Sequence, residues 1–170
     1  MLVIIWNQKL TVRMDNRLIV ALDFDDLGQV TQTVRELSGF VSWFKVGKQL
    51  FTSTGPCIVE QLCGAEKSVF LDLKFHDIPI TMSRACWQVA RSGAELITVH
   101  ACAGIKALNL ANQSAVEGAA EAGLPAPTLL AVTVLTSWSS KQFASELVID
   151  QPLEKRVELL ADLAFQAGIG

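Results

Sequence analysis

One short stretch of the sequence, residues 70–81, carries most of the side chains that could do chemistry. Asp72 and Lys74 stand two apart inside an apolar run, and Asp77 follows in the next loop. Side chains two apart on a strand point to the same side, so we expect Asp72 and Lys74 to project together. A charged pair is costly to bury unless its members meet and are hydrogen-bonded. The pair is therefore either a structural ion pair or part of an active site.

The position of Lys45 favours the active-site interpretation. Lys45 lies near the end of the preceding apolar run, and in a parallel sheet the strand formed by that run lies beside the strand that carries Asp72. Two lysines and two aspartates would then alternate in charge at the carboxyl ends of the strands; they are Lys45, Asp72, Lys74 and Asp77. At about 4 Å and an effective dielectric constant near 20, each close charge contact is worth on the order of 4 kcal/mol. A fixed carboxylate repels another anion, and a charged lysine donates a proton. The network suits a reaction in which a substrate carboxylate leaves and the resulting carbanion is protonated.

A divalent metal is the competing interpretation of the same residues, since Asp72 and Asp77 are hard oxygen ligands of the kind that magnesium prefers. Lys45 and Lys74 argue against it, because two ammonium groups already supply the positive charge that a metal would bring. The end of the second strand offers no third acidic residue. The sequence therefore predicts a site without a metal.

The elements that must position these residues alternate along the chain. Five β-branched runs are separated by stretches with helical spacing, and each gap holds one helix and two short loops, as in βαβ units of a parallel sheet. The predicted strands cover residues 18–22, 41–46, 68–74, 96–100 and 128–134, and the predicted helices cover 26–38, 55–64, 80–92, 104–122 and 152–168. Polar residues end every strand, where α/β folds bind ligands. They are Asp23, Lys45, Asp72 with Lys74, His100, and Thr133 with Thr136.

Composition limits the other classes of function. The 170-residue chain is 51% apolar, and 17 acidic against 14 basic side chains leave a net charge of −3. This excludes intrinsic disorder as the main state and gives no general electrostatic case for nucleic-acid binding. Four cysteines without a CxxC pair favour free thiols in a reducing cytoplasm, and the apolar start, residues 1–6, is too short for a signal peptide or a membrane span. We predict a short N-terminal extension at residues 1–16 and one cytoplasmic domain at residues 17–170.

Five segments in register, from about residue 17 to the C-terminus, resemble the orotidine 5′-phosphate decarboxylase family. The most specific is Asp72-Leu-Lys-Phe-His-Asp-Ile-Pro79, followed by Thr81. The other segments are Val20-Ala-Leu-Asp23, Phe44-Lys-Val-Gly47, Val99-His-Ala101 and Ala131-Val-Thr-Val-Leu-Thr-Ser137. The resemblance implies an α/β fold, the (β/α)8 TIM barrel, which is typically about 250 residues long. This chain supplies about five of its βα units, a partial barrel over residues 17–170.

The resemblance also implies an activity, the decarboxylation of orotidine 5′-phosphate to uridine monophosphate in pyrimidine biosynthesis, with no cofactor. Lys74 would be the proton donor, and Asp72 would lie beside the departing CO2. Lys45 and Asp23 would hold the ribose hydroxyls and order the charge network. The implied catalytic residues are Lys45, Asp72, Lys74 and Asp77. The implied substrate-binding residues are Asp23, Lys45, Asp72, Leu73, Lys74, Phe75, His76, Asp77, Ile78, Pro79, Ile80, Thr81 and Thr136.

The family further implies a homodimer, because Asp77 and Thr81 would reach into the site of a second subunit, while Thr136 would lie by the pyrimidine. The family's phosphate-gripping loops follow its last strands, and the sequence contains no equivalent segment. Membrane and nucleic acid are not implied as partners.

Two alternatives remain open. The string Asp-x-Lys-x-x-Asp is shared with metal-dependent sugar-phosphate decarboxylases and aldolases of related barrels, although these place an acidic metal ligand where this chain has Lys45. The second alternative is an inactive fragment or an interaction module, because five-eighths of a barrel leaves the first and fifth strands as open edges that invite pairing with other chains.

Overall fold

The computed structural model describes residues 3–5 and 18–169 of the chain. Within them, six strands form one sheet in chain order. The strands are β1 (Val3–Ile5), β2 (Leu18–Ala21), β3 (Trp43–Gly47), β4 (Ser68–Phe75), β5 (Ala94–His100) and β6 (Thr128–Val132). The helices are α1 (Leu27–Leu37), α2 (Lys48–Thr54), α3 (Cys57–Gly64), α4 (Pro79–Arg91), α5 (Ile105–Glu121), α6 (Ser140–Leu147) and α7 (Leu153–Gln166). A 3-10 turn at Ala101–Ala103 joins β5 to α5.

The five predicted βα units are confirmed, since β2 to β6 pair in parallel and helices separate them. Two helices were not predicted. α2 follows β3 directly and is rich in threonine and serine, which are weak helix formers, but it buries Leu50 completely. α6 begins where the Ser139 hydroxyl accepts the Gln142 N–H, and it buries only Phe143. Both are too short for a sustained apolar period.

β1 corrects the expectation of an open edge on the first parallel strand. It pairs antiparallel with β2, with Ile4 opposite Ile19. It lies within the predicted extension at residues 1–16, whose remaining residues lie outside the described part of the chain. The division between that extension and the domain at residues 17–170 stays a prediction.

The two faces of the parallel sheet have different neighbours. On one face, fully buried strand residues such as Phe44 and Leu71 pack against helix residues such as Leu50, Met82 and Leu108. A smaller cluster without helix residues covers the other face, because successive strand side chains alternate between faces. Its members are Ile19, Phe70 and Leu96, with Trp43 and Leu130 packed against them.

This second face changes character along the strands. On this face, β3, β4 and β5 each carry an apolar residue and, two positions later, a polar one, so an apolar layer is followed by a polar layer. The apolar residues are Trp43, Phe70 and Leu96, and the polar residues are Lys45, Asp72 and Thr98. Lys45 and Thr98 are buried and Asp72 is half-buried. The apolar layer closes one end of the sheet surface, and the polar layer faces the carboxyl ends of the strands, where a barrel binds its ligand.

Candidate active site

The first of two ion pairs joins the ends of β2 and β3. Lys45 Nζ lies 2.8 Å from Asp23 Oδ1, and the exposed fractions of the two side chains are 9% and 53%. Gly47 borders the pair: a Cβ at this position would lie 3.0 Å from Lys45 Nζ and 3.3 Å from Asp23 Oδ1. The Gly47 backbone is extended, with φ −91°, so glycine is required here for space and not for conformation.

The second ion pair lies along β4. Lys74 Nζ is 2.7 Å from Asp72 Oδ1, with side-chain exposures of 30% and 16%, so the two side chains meet as expected. Thr98 on β5 contributes two more hydrogen bonds. Its hydroxyl donates to Asp72 Oδ1 at 3.1 Å and accepts the Lys74 backbone N–H at 2.8 Å. The carboxylate is therefore held by the ammonium from its own strand and by a hydroxyl from the neighbouring strand.

The backbone at Lys74 departs from a regular strand. Its φ of +52° lies in the left-handed region, and the pairing of β4 with β5 shifts register between Leu71 and Phe75. A left-handed conformation is unfavourable for residues other than glycine, asparagine and aspartate. The contact between Asp72 and Lys74 thus forms across a local turn and not by the simple alternation expected of a strand.

Asp77 is not joined to either lysine. Its Oδ1 accepts the N–H of Ile78 at 2.7 Å, its side chain is exposed, and among the described residues it forms no ion pair. The strands that carry Lys45 and Asp72 are neighbours as expected, but Lys45 lies opposite Phe70. Among the described residues, Lys45 and Lys74 therefore belong to two separate ion pairs, where the sequence predicted one alternating network of four charges.

The two histidines lie side by side at the carboxyl ends of β4 and β5. The rings of His76 and His100 are 5.4 Å apart, and His76 Nε2 contacts the Cys102 thiol at 3.8 Å. Burial is the main reason that the pKa of His100 is lowered, and the nearby charges of His76, Lys48 and Lys74 lower it further. His100 therefore favours its neutral form. All four cysteines are free, as predicted.

The other predicted binding residues divide by exposure. Leu73 and Phe75 are partly buried and pack against the main core. Ile78, Ile80 and Thr81 are exposed around the start of α4.

Pro79 is the first residue of α4, a position suited to its fixed φ and missing N–H. Thr136 is exposed in the loop that follows β6.

Thr98 and Gly47 are the site residues that the sequence analysis did not assign. Thr98 had a signal: it is a polar residue within an apolar strand and stands two before His100 on the same face. Gly47 ends the segment Phe44-Lys-Val-Gly47, but only the folded chain shows how closely it approaches the first ion pair.

Two further features concern the described part of the chain as a whole. Its histidine, cysteine, aspartate and glutamate side chains form no group of three or more that could hold a metal ion. None of its helices combines the length and the apolar character needed to cross a membrane.

Comparison of the sequence with known proteins points to one family. The family model described as "Orotidine 5'-phosphate decarboxylase / HUMPS family" matches residues 16–170. Proteins named orotidine 5′-phosphate decarboxylase from two strains of Prochlorococcus marinus, SARG and MIT 9211, are 58% and 55% identical to this chain. Both alignments cover 94% of this chain and 66% of the relative, so the chain spans just under two thirds of the length of these curated relatives.

Two solved structures resemble the chain over a similar share of their length. The orotidine 5′-phosphate decarboxylase of Lactobacillus acidophilus superimposes with a TM-score of 0.82 at 35% identity, covering 89% of this chain and 67% of the other. An uncharacterized conserved protein from Geobacillus kaustophilus gives the same TM-score at 38% identity, covering 89% of this chain and 70% of the other.

Proposed function

The chain belongs to the orotidine 5′-phosphate decarboxylase / HUMPS family, and from this premise we propose that its site decarboxylates orotidine 5′-phosphate to uridine monophosphate in pyrimidine biosynthesis. The observation that carries the proposal is the ion pair of Lys74 and Asp72, held by Thr98 on the polar face of the sheet. It places a proton donor and a fixed negative charge within 2.7 Å of each other.

The proposed reaction uses the two charges in sequence. The substrate carboxylate lies beside Asp72, and the bond from pyrimidine C6 to the carboxyl carbon breaks, so that CO2 leaves and its bonding electrons stay on C6. The Lys74 ammonium gives C6 its proton, becomes a neutral amine and takes a new proton from solvent. Because the ammonium already faces the carbon where negative charge develops, little reorganisation is needed during the reaction.

The first ion pair has a binding role in this proposal. Asp23 is more than half exposed and keeps acceptor capacity for ribose hydroxyls, while Lys45 is nearly buried and orients it at 2.8 Å. Thr136 would contact the pyrimidine from the loop after β6. The remaining binding residues run from Leu73 to Thr81 around the end of β4 and the start of α4.

We further propose that the protein works in the cytoplasm as a homodimer in which Asp77 and Thr81 enter the site of the second subunit. Both side chains are exposed, and neither forms an ion pair or hydrogen bond with Lys45 or Lys74 of its own chain. Ile78 and Ile80 beside them are 63% and 49% exposed, which supports an apolar contact at this place.

Replacing Lys74 tests the proposal. Purified protein is incubated with orotidine 5′-phosphate in the presence of a chelator, and the absorbance of the pyrimidine is followed. We expect Lys74→Ala to lower kcat/KM by at least about 10³-fold, because both the proton donor and its charge are lost. Lys155→Ala is the matched control, since Lys155 forms an exposed pair with Glu158 on α7; it should leave turnover unchanged.

The outcomes separate the alternatives. A near-normal rate for a folded Lys74→Ala variant would mean that Lys74 is only the structural partner of Asp72. Turnover only by a longer polypeptide that continues through three further βα units would favour the inactive-fragment or interaction-module alternative for this chain. Inactivity of both, with folded protein, would contradict the decarboxylase proposal.

A further inference from the structure

Thr98 is one of the few buried polar side chains in the described part of the chain, with 5% of its surface exposed. Its hydroxyl makes two hydrogen bonds: it accepts the Lys74 N–H at 2.8 Å and donates its proton to Asp72 Oδ1 at 3.1 Å. The Lys74 N–H can only donate, so the one hydroxyl proton is directed at the Asp72 carboxylate. Thr98 therefore contacts the backbone of one member of the ion pair and the side chain of the other.

The backbone that Thr98 holds is strained. Lys74 has a φ of +52°, and the regular pairing of β4 with β5 is interrupted there, between Leu71 and Phe75. A lysine persists in the left-handed region only when its surroundings compensate for the strain. The Lys74 N–H bond to Thr98 provides such a compensation, because the interrupted ladder offers this N–H no strand partner.

We propose that Thr98 is a positioning residue for the ion pair: its hydroxyl holds the left-handed turn at Lys74 and orients the Asp72 carboxylate, so that ammonium and carboxylate form one fixed unit. The inference rests on the proposed function of that pair. Thr98 itself need not touch the substrate. Its loss should leave binding nearly unchanged and slow the chemical step, since a displacement of about 1 Å can cost on the order of 100-fold in rate.

Three variants of the chain test the inference. Thr98→Val removes the hydroxyl and keeps the shape, Thr98→Ser keeps the hydroxyl, and Thr128→Val is the matched control at an exposed threonine at the start of β6. Amide hydrogen exchange is measured residue by residue by NMR. We expect the Lys74 amide to exchange about two- to ten-fold faster in Thr98→Val, relative to the other amides of β4 and β5. It should be unchanged in Thr98→Ser and Thr128→Val.

Measuring kcat and KM separately distinguishes positioning of the ion pair from a purely structural role of Thr98. Thr98→Val should lower kcat by about ten- to 100-fold with KM within about three-fold of the unchanged protein, and Thr98→Ser should recover most of the rate. If Thr98→Val does not fold, Thr98→Ala removes the same hydroxyl with a smaller side chain.

An unchanged relative exchange rate at Lys74 in a folded Thr98→Val or Thr98→Ala variant would overturn the inference. So would a uniform acceleration of all β4 and β5 amides, which indicates general destabilisation, or a faster Lys74 amide with an unaltered kcat. Failure of the proposed function is distinguishable, because it appears as absence of turnover in the unchanged protein, and the exchange comparison then still decides whether Thr98 holds Lys74.

Discussion

The Lys45–Asp23 pair joins two strands and buries its cation, whereas the Lys74–Asp72 pair lies within one strand and leaves both partners partly exposed. The Lys45 side chain is 9% exposed beside an aspartate that is 53% exposed. Lys74 and Asp72 are 30% and 16% exposed. The first pair lies so close to Gly47 that an added Cβ would meet both partners, and the second is held by a left-handed backbone with a hydroxyl from the next strand.

This difference predicts which substitutions disrupt each ion pair. A buried cation with a hydrated anion is sensitive to loss of the anion, because the anion can return to water while the cation cannot. A pair held by a strained turn is sensitive to loss of the bond that holds the turn. The first pair should therefore be broken by changes in charge or volume, and the second by loss of a single hydroxyl.

The largest effect on stability is expected from Asp23→Asn. It leaves the Lys45 ammonium buried without a carboxylate, and we expect the free energy of unfolding to fall by about 3 kcal/mol in urea denaturation. Lys45→Met should cost only about 1 kcal/mol, because Asp23 then remains as a largely hydrated carboxylate. Equal losses for the two variants would contradict the asymmetry between the partners.

The double variant Asp23→Asn with Lys45→Met is the control for this prediction. It removes both charges and should recover most of the stability that Asp23→Asn alone loses. A double variant as unstable as Asp23→Asn would mean that Asp23 acts on something other than Lys45.

A smaller loss is expected from Gly47→Ala. The added Cβ would lie 3.0 Å from Lys45 Nζ, so the ion pair must move by a few tenths of an ångström, and we expect the free energy of unfolding to fall by about 1–2 kcal/mol. Gly39→Ala is the matched control, because a Cβ there meets nothing within 4 Å. Thermal or urea unfolding checks both, and equal changes at the two glycines would refute the close approach at Gly47.

The smallest effect concerns pH and is confined to the β4–β5 side, since both histidines of the sequence, His76 and His100, lie there. The pKa of His100 is lowered in the folded chain, so the unfolded chain binds more protons between that pKa and its usual value near 6.5. Stability therefore falls as the pH drops through this window and is regained above it.

His100→Gln should flatten this dependence when the free energy of unfolding is measured at pH 7.5 and pH 5. Raising the salt concentration should reduce the dependence only in part, because burial is the leading cause of the lowered pKa and nearby charges are secondary. A pH dependence identical in the variant and the unchanged protein would show that His100 does not contribute.

Sequence patterns predicted the fold well wherever they extended over a whole βα unit. The β-branched runs between residues 18 and 134 correspond to β2 to β6, because a buried parallel strand needs a nearly continuous apolar run. α2 and α6 were missed, since seven or eight residues with one deeply buried side chain leave little periodic signal. β1 was missed because three residues carry no pattern of their own and depend on pairing with β2.

Of the contacts at the candidate site, the sequence predicted one and missed others. It predicted that Asp72 and Lys74 meet, but from regular strand alternation, whereas the chain makes a left-handed turn at Lys74. That the polar carboxyl ends of the strands mark an active site stays a prediction. The left-handed turn at Lys74 could not be predicted, because lysine has no preference for this conformation and the turn depends on a hydroxyl on β5. The contact between Gly47 and the first pair likewise depends on a three-dimensional approach that spacing does not encode.

The sequential order of the strands has a consequence for how the site comes into being as the chain folds. At the two ion pairs, the hydrogen bonds between different elements join residues 22, 24 and 26 positions apart, and the Lys74–Asp72 bond spans two. Each bond between elements at the site therefore closes a loop of about one βα unit, which costs little chain entropy and favours rapid folding. Both residues of the Asp23–Lys45 bond are present once β3 has been synthesised, whereas the Lys74–Asp72 pair obtains Thr98 only when β5 follows.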